Sequence, residues 1–557
     1  MQKHTLKFII LGVALSLISC GNQATNRATA QKISIEITEN HLNLPVSQQA
    51  ERGKMSFSIG ENIDRTFVIR LAETPEYWVA ANVSAYKGKT LKIAFEGDAA
   101  GLSKIYQSEQ PEGAENFYLE ENRPQLHFTT KIGWINDPNG LIFYEGEYHL
   151  FYQHNPFERE WENMTWGHAV SADLVHWTEL GDALFPDKLG AMFSGTAVID
   201  YENTSGFGTK ENPPFVVFYT ADHPDRETQC LAYSLDKGRT FTKYAGNPVI
   251  DSKEKWNSHD TRDPKVFWYA PGKQWVLVVN ERDGHSIYNS ANLKDWTYQS
   301  HVDGFWECPE LFELAIDNSP ANKLWVMYGA SGTYFLGKFD GKTFTPLTGK
   351  LQFEFGAVYA AQTFNNIPAS DGRRIQIGWD RVEQPGMRFK GQMSLPTELT
   401  LRTTPNGVRL FANPVKELDL LNDKLVVSEK NLSPDKANEL LKPYANEAAL
   451  RIKATVKISH ATFWALALSG QNIIDYNLNF NTLNGVFYSQ NDFAGMEVNA
   501  EIFIDKTTFQ VFFDNGGISY CIERRPDPNN TEGFRFWSDR DFEIKNLEVF
   551  TMKNRWK

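Results

Sequence analysis

Short runs in which apolar and polar residues alternate fill most of this chain, and the three-to-four spacing of an amphipathic helix persists almost nowhere. Near the N-terminus the runs are Ile33 to Ile37, Phe67 to Leu71, Tyr77 to Val83 and Thr90 to Phe95, with Gly and Asn between them. They predict a small β-sandwich-like domain over 32–123. It groups no acids and no histidines, so a packing role suits it better than carbohydrate binding. Between 124 and 413 the runs come in pairs: Gly140 to Gln153, Ala197 to Thr220, Lys265 to Val279, Leu311 to Tyr328 and Val358 to Trp379. Similar phrases recur between the pairs, at Ser171 to Trp177, Ser234 to Phe241, Ser290 to Trp296 and Lys338 to Phe344. A period of roughly 45 to 70 residues built from short strands predicts propeller blades, five of them. The starts of the inner strands would then converge on one axial funnel.

Val415 to Leu421 and Ser433 to Leu441 carry helical spacing, so 414–449 reads as a linker with short helices. Alternation returns from 450 to 557, at Leu450 to Ile458, Phe463 to Ser469, Ala500 to Ile504 and Phe509 to Phe513, with Asp514-Asn515-Gly516 as a turn signal. The fold class expected is all-β.

Length and composition sharpen this picture. At 557 residues the chain exceeds one core, since domains average about 150 residues. Aromatics make up 13%, which suits strands and also supplies flat faces for sugar rings. A formal charge of −13 argues against a nucleic-acid partner and fits a neutral ligand. Lys3 and Lys7, the apolar run Phe8 to Ile18 and the end Leu17-Ile18-Ser19-Cys20 resemble a bacterial lipoprotein signal over 1–20. In that reading Cys20 becomes the lipidated N-terminus, residues 21–31 are a tether, and the protein is membrane-anchored at the cell surface or in the periplasm; a plain secretory signal is the alternative. The apolar run is too short to span a bilayer. Without Cys20 there remain Cys230, Cys308 and Cys521, an odd set that predicts no disulfide framework and at most one bridge. His127, His149, His154, His168, His176 and His259 show no metal-ligand spacing, so neither a metal nor a cofactor is expected.

The candidate chemistry lies in three short motifs. Trp134-Ile135-Asn136-Asp137-Pro138-Asn139-Gly140 is dense in turn formers and would hold Asp137 on a tight corner; taken alone it is also what an ordinary hairpin corner looks like. Arg262-Asp263-Pro264-Lys265-Val266 and Trp306-Glu307-Cys308-Pro309 each place a further acid beside a proline at the mouth of a strand-like run. With Phe193-Ser194-Gly195 and Trp161 to His168 between them, these motifs resemble, in content and order, the invertase, inulinase and levanase family of glycoside hydrolases, family thirty-two. The resemblance is firm over Gln125 to about Asn413.

It implies a five-bladed β-propeller catalytic domain followed by a C-terminal β-sandwich. It also implies that Asp137 is the nucleophile, Glu307 the general acid and base, and Asp263 a transition-state stabiliser. Asn136, Gln153, Trp161, Phe193, Ser194, Arg262 and Trp379 match the family's sugar-holding set, although Trp161 and Trp379 would serve equally well as blade core. Glu162, Thr165 and Asp380 depart from the family's usual residues and bear on subsite preference. From the residues alone, Arg262 beside Asp263 suggests an ionised Asp263, and Trp306, Cys308 and Pro309 suggest a poorly hydrated Glu307 that keeps its proton. The activity implied is retaining, exo-acting release of fructose from β-fructans such as inulin or levan, or from sucrose. A fructosyltransferase on the same site and a non-catalytic fructan-binding lipoprotein are the alternatives.

Overall fold

A computed structural model of the chain describes residues 30–458, 461–480, 482–487, 497–525 and 532–557. The expected signal, Cys20 and most of the tether lie outside the described residues. Among the described residues no helix is long and apolar enough to cross a membrane.

The N-terminal region forms two antiparallel sheets. One joins Gln31–Glu36, Thr90–Glu96, Gly53–Ile59 and Asn62–Ile69, and the other Tyr77–Asn82, His41–Val46 and Tyr106–Ser108. Period-two patterning explains the pairing, because Met55 and Phe57, like Leu91, Ile93 and Phe95, turn inward while Lys54 and Lys92 face out. Two side chains of the following region, Ile132 and Phe157, complete this core.

Residues 133–414 build five antiparallel units in sequence order. Their first strands are Gly133–Tyr144, Ala191–Ile199, Thr261–Tyr269, Glu310–Ile316 and Val358–Thr363, each hydrogen-bonded to the strand that follows it. The paired runs expected from sequence are the first two strands of each unit, and the recurring phrases are the turns between third and fourth strands. The strand of Ala191–Ile199 packs against both Gly133–Tyr144 and Thr261–Tyr269, and Val358–Thr363 returns to pack on Gly133–Tyr144. Buried polar groups pin these strands together. Asn365 Nδ2 donates to the carbonyls of Ala197 at 2.8 Å and Val266 at 3.0 Å, and Lys265 Nζ reaches Glu310 Oε1 and the Thr363 carbonyl, both at 2.8 Å. A two-residue strand, Phe389–Lys390, pairs in parallel with Gly133 and Trp134.

At the C-terminus a seven-stranded sheet, with Glu497–Ile504 and Leu450–Lys457 near its middle, faces a smaller sheet centred on Phe463–Leu468 and Gln471–Asn477. Trp464, Ile502, Val511 and Phe513 lie in the core between them. The structure corrects the linker expected over 414–449. Lys416–Leu421 is a short 3-10 helix and Pro434–Leu441 an α-helix capped by Ser433, but Asn422–Leu432 between them is a strand paired with Glu543–Met552. It sits at a sheet edge with mostly exposed side chains, only Val427 and Leu432 being buried in the core, so its sequence lacks apolar alternation.

Candidate active site

The first strands carry Asp137 and Asp263 at an interruption that recurs in four of the units. The register with the second strand slips between Ile135 and Pro138, between Phe193 and Gly195, between Arg262 and Lys265, and between Tyr359 and Gln362. A bulge of this kind turns a side chain out of the strand's alternation. Here the slips fall at Asn136 and Asp137, at Ser194, at Asp263 and beside Tyr359. The corner expected around Asp137 is therefore a bulge inside the strand Gly133–Tyr144, tolerated there because Pro138 has no N–H to leave unpaired. At Ser194 the strands approach so closely that a Cβ on Gly195 would lie 1.9 Å from the Phe218 carbonyl oxygen. Asp263 (φ 67°), Glu307 (φ 52°) and Cys308 (φ 43°) occupy the left-handed region that side chains other than glycine rarely adopt.

These distortions meet at a cavity of about 230 Å³ lined by Asn136, Asp137, Gln153, Trp161, Phe193, Ser194, Arg262, Asp263, Glu307, Tyr359 and Trp379. All ten residues singled out in the sequence for catalysis or sugar binding are brought together here, with Tyr359 added. Asp137 accepts hydrogen bonds from Ser194 Oγ at 2.7 Å and Asn136 Nδ2 at 3.1 Å, and Asn136 is itself held by Trp134 Nε1 at 2.8 Å. The Cys308 thiol lies 3.6 Å from Asp137 Oδ2 and 3.5 Å from Asp263 Oδ2, while the Cys308 backbone N–H donates to Asp263 at 3.0 Å. Glu307 accepts from Arg262 Nη1 at 2.8 Å and from the Tyr359 hydroxyl at 2.6 Å. Arg262 is braced from behind by Glu227 and Asp260 at 2.7 and 2.6 Å. Two buried donors of residues that line the cavity, Gln153 Nε2 and Trp379 Nε1, have no protein partner.

Burial raises the Asp137 carboxyl above its ordinary range, against the hydrogen bonds of Ser194, Asn136 and Cys308, and Glu307 adds to the rise. Asp263 is pushed well up, first by burial and then by the charges of Glu307 and Asp137. Arg262 opposes the rise, as its place beside Asp263 in the sequence suggests, while its guanidinium hydrogen-bonds to Glu227, Asp260 and Glu307. The dry surroundings expected of Glu307 are corrected, since its side chain keeps 21% exposure and faces a cation. Burial works against the charge of Arg262, but Glu227, Asp263 and Glu307 outweigh it. The Cys308 thiol is driven up by burial and by the acids around it, which leaves it a hydrogen-bond donor within reach of either aspartate.

A larger cavity of about 710 Å³ is lined by the far ends of the first strands, including Val198 to Tyr201 and Phe267 to Tyr269. It gathers no comparable chemistry. Asp200 is saturated by Thr204 and Ser205, and Glu202 and Glu313 pair with Lys210 and Lys323. Cys230, Cys308 and Cys521 are free thiols, all buried.

Tyr359 was missed in the sequence although a rule could have found it. Asp137, Ser194 and Asp263 stand near the starts of the first three first strands and Glu307 just ahead of the fourth; the same position in the fifth is Tyr359. Glu227, on a third strand, carried no such signal.

Carboxylates collected from separate β-units around a sugar-sized cavity are the arrangement a glycosidase needs. The family model for the N-terminal domain of glycosyl hydrolases family 32 matches residues 127–414, and the chain belongs to that family. Among its relatives, the levanase of Bacillus subtilis is 38% identical over 515 residues, spanning 84% of this chain and 74% of that protein. The extracellular exo-inulinase of Aspergillus niger is 33% identical over 512 residues, spanning 81% and 89%. In structure, the exo-inulinase of Aspergillus awamori superposes with a TM-score of 0.68 at 28% identity over 79% of this chain and all of that one. A fructofuranosidase of Schwanniomyces occidentalis complexed with fructosylnystose gives 0.65 at 27% identity over 78% and 98%.

Proposed function

We propose that this β-fructofuranosidase of the fructan-hydrolase type removes terminal fructose from β-fructans, and from sucrose, by retaining double displacement. The observation that carries the reading is the meeting of Asp137, Asp263 and Glu307 at one cavity of about 230 Å³. That is smaller than the about 300–1,000 Å³ of sites for drug-sized ligands, so it suits one sugar ring and not a chain, which favours exo action. The five units are read as the blades of a five-bladed propeller and the two C-terminal sheets as a β-sandwich, in keeping with the solved relatives.

In this reading Asp137, oriented by Ser194 and Asn136, attacks the anomeric carbon, and the leaving oxygen takes a proton from Glu307. Water, deprotonated by the same Glu307, then releases fructose from Asp137. Asp263 holds ring hydroxyls, and Gln153 and Trp379 supply the spare donors. For a Glu307→Gln protein, kcat on sucrose and inulin should fall by at least about 10³-fold, within the range set by acid–base catalysis, while wild-type digests of inulin and levan show fructose from the first minutes. Unimpaired hydrolysis by Glu307→Gln would remove the acid assignment, and a ladder of oligosaccharides without early fructose would remove exo action. A lipid anchor at Cys20 belongs to the same reading and is supported by the sequence pattern at residues 1–20. A Cys20→Ser protein should appear in the soluble fraction, and its retention on membranes would count against the anchor.

A further inference from the structure

The N-terminal domain contributes no residue to the cavity, yet it grips the segment that carries one of the cavity's walls. Trp161 lies in the connection between the strands Glu147–Asn155 and Thr165–Ser171. Its indole lines the cavity, stands edge-on to Phe193 with ring centroids 5.9 Å apart, and remains 48% exposed. Nearly every neighbour of Trp161 in this connection is fastened, and several of the fastenings come from the N-terminal domain. The ring of Phe157 stacks on Phe67 at 3.8 Å inside the N-terminal core. Glu158, whose side chain is fully buried, accepts from Nε and Nη2 of Arg52 at 3.2 and 3.1 Å, with Arg70 3.7 Å away. The third nitrogen of the same guanidinium, Nη1, donates to Glu162 at 3.1 Å. Asn163 then pairs with Val68 as a strand would, accepting from its N–H and donating to its carbonyl, both at 2.8 Å.

One guanidinium therefore holds acids on either side of Trp161, and the residue after them is stitched to the N-terminal sheet. The rigid planar fork of arginine suits this double grip, which a point charge could not reproduce. We propose that the N-terminal domain is a positioning element of the active site, fixing the Trp161 wall against which the fructosyl ring binds, with Arg52 as its principal contact. The inference rests on the fructosidase reading of the cavity. Arg52 acts through Trp161 and touches no substrate, so its effect belongs to binding and not to the chemical step.

The test is a double-mutant cycle in the full-length chain, with KM and kcat measured on sucrose and a short β-fructan and thermal midpoints recorded alongside. Arg52→Ala should raise KM about three- to tenfold and leave kcat within about twofold, as lost ground-state and transition-state binding does. Trp161→Ala should raise KM at least as far, and the double variant should be no worse than Trp161→Ala alone, because the clamp then has nothing to position. An unchanged KM in Arg52→Ala, or effects that multiply in the double variant, would overturn the proposal. If Trp161→Ala itself binds normally, the sugar does not rest on Trp161 and the clamp falls, whereas the fructosidase reading, carried by the three acids, is decided separately by Glu307→Gln. Should Arg52→Ala not fold, Glu162→Ala loosens only the exposed half of the grip; it should raise KM in the same direction by a smaller factor, and no rise would sink the idea.

Discussion

Asp137, Asp263 and Glu307 were legible in the sequence because each sits in a short, proline-bearing motif, and two of those motifs, at Asp137 and Asp263, mark the bulges that aim the side chains inward. Their electrostatics were not legible. Adjacency in sequence put Arg262 next to Asp263, whereas the folded guanidinium turns to Glu307, Glu227 and Asp260. Adjacency along a strand sends neighbours to opposite faces, so it says little about partners. Tyr359 is the residue whose role follows most directly from geometry. Its hydroxyl is 2.6 Å from Glu307 Oε2 and its ring lies 6.4 Å from that of Trp379. Tyr359→Phe should keep the fold and lower kcat/KM for sucrose by roughly tenfold or more, the worth of one hydrogen bond to a charged group. Steady-state kinetics beside an unchanged thermal midpoint would check this, and a fully active variant would remove Tyr359 from the machinery.

Among the elements, strands with an apolar face were the easiest to read, and those without one were lost. The edge strand Asn422–Leu432 passed for linker, and Glu354–Gly356 gave no sign of joining the C-terminal sheet. Yet Glu354–Gly356 pairs in parallel with Ser519 to Cys521 and so ties the catalytic units to the C-terminal region. It does this while burying Glu354, whose Oε1 accepts from Gln376 Nε2 at 3.1 Å. Burial, and after it the charge of Asp380, pushes this carboxyl up to about 8 from an ordinary 4.5. An acid that holds its proton more tightly folded than unfolded favours the fold at low pH, and that contribution is lost as pH rises through the interval from 4.5 to about 8. Denaturation of the wild type should therefore become easier across this interval, on the order of a few kcal/mol. Glu354→Gln should flatten the dependence and be the more stable protein near pH 8. Parallel pH profiles for the two proteins would rule Glu354 out.

For the molecule as a whole, period and patterning foretold an all-β chain and five successive units, since each unit must bury its own alternating face. What no pattern showed was how distant parts lean on one another. The grip of Arg52, Phe67 and Val68 on residues 157–163 joins segments about a hundred positions apart through single side chains, which leave no periodic trace.

The parallel pairing of Phe389–Lys390 with Gly133 and Trp134 bears on how the enzyme comes into being. The strand that bears Asp137 is latched by chain synthesised some 250 residues later, at a rate of about 5–20 residues per second. Until that latch emerges from the ribosome the strand bearing Asp137 has an open edge. The lining of the cavity runs from Asn136 to Trp379, so its wall too is complete only after most of the chain has left the ribosome.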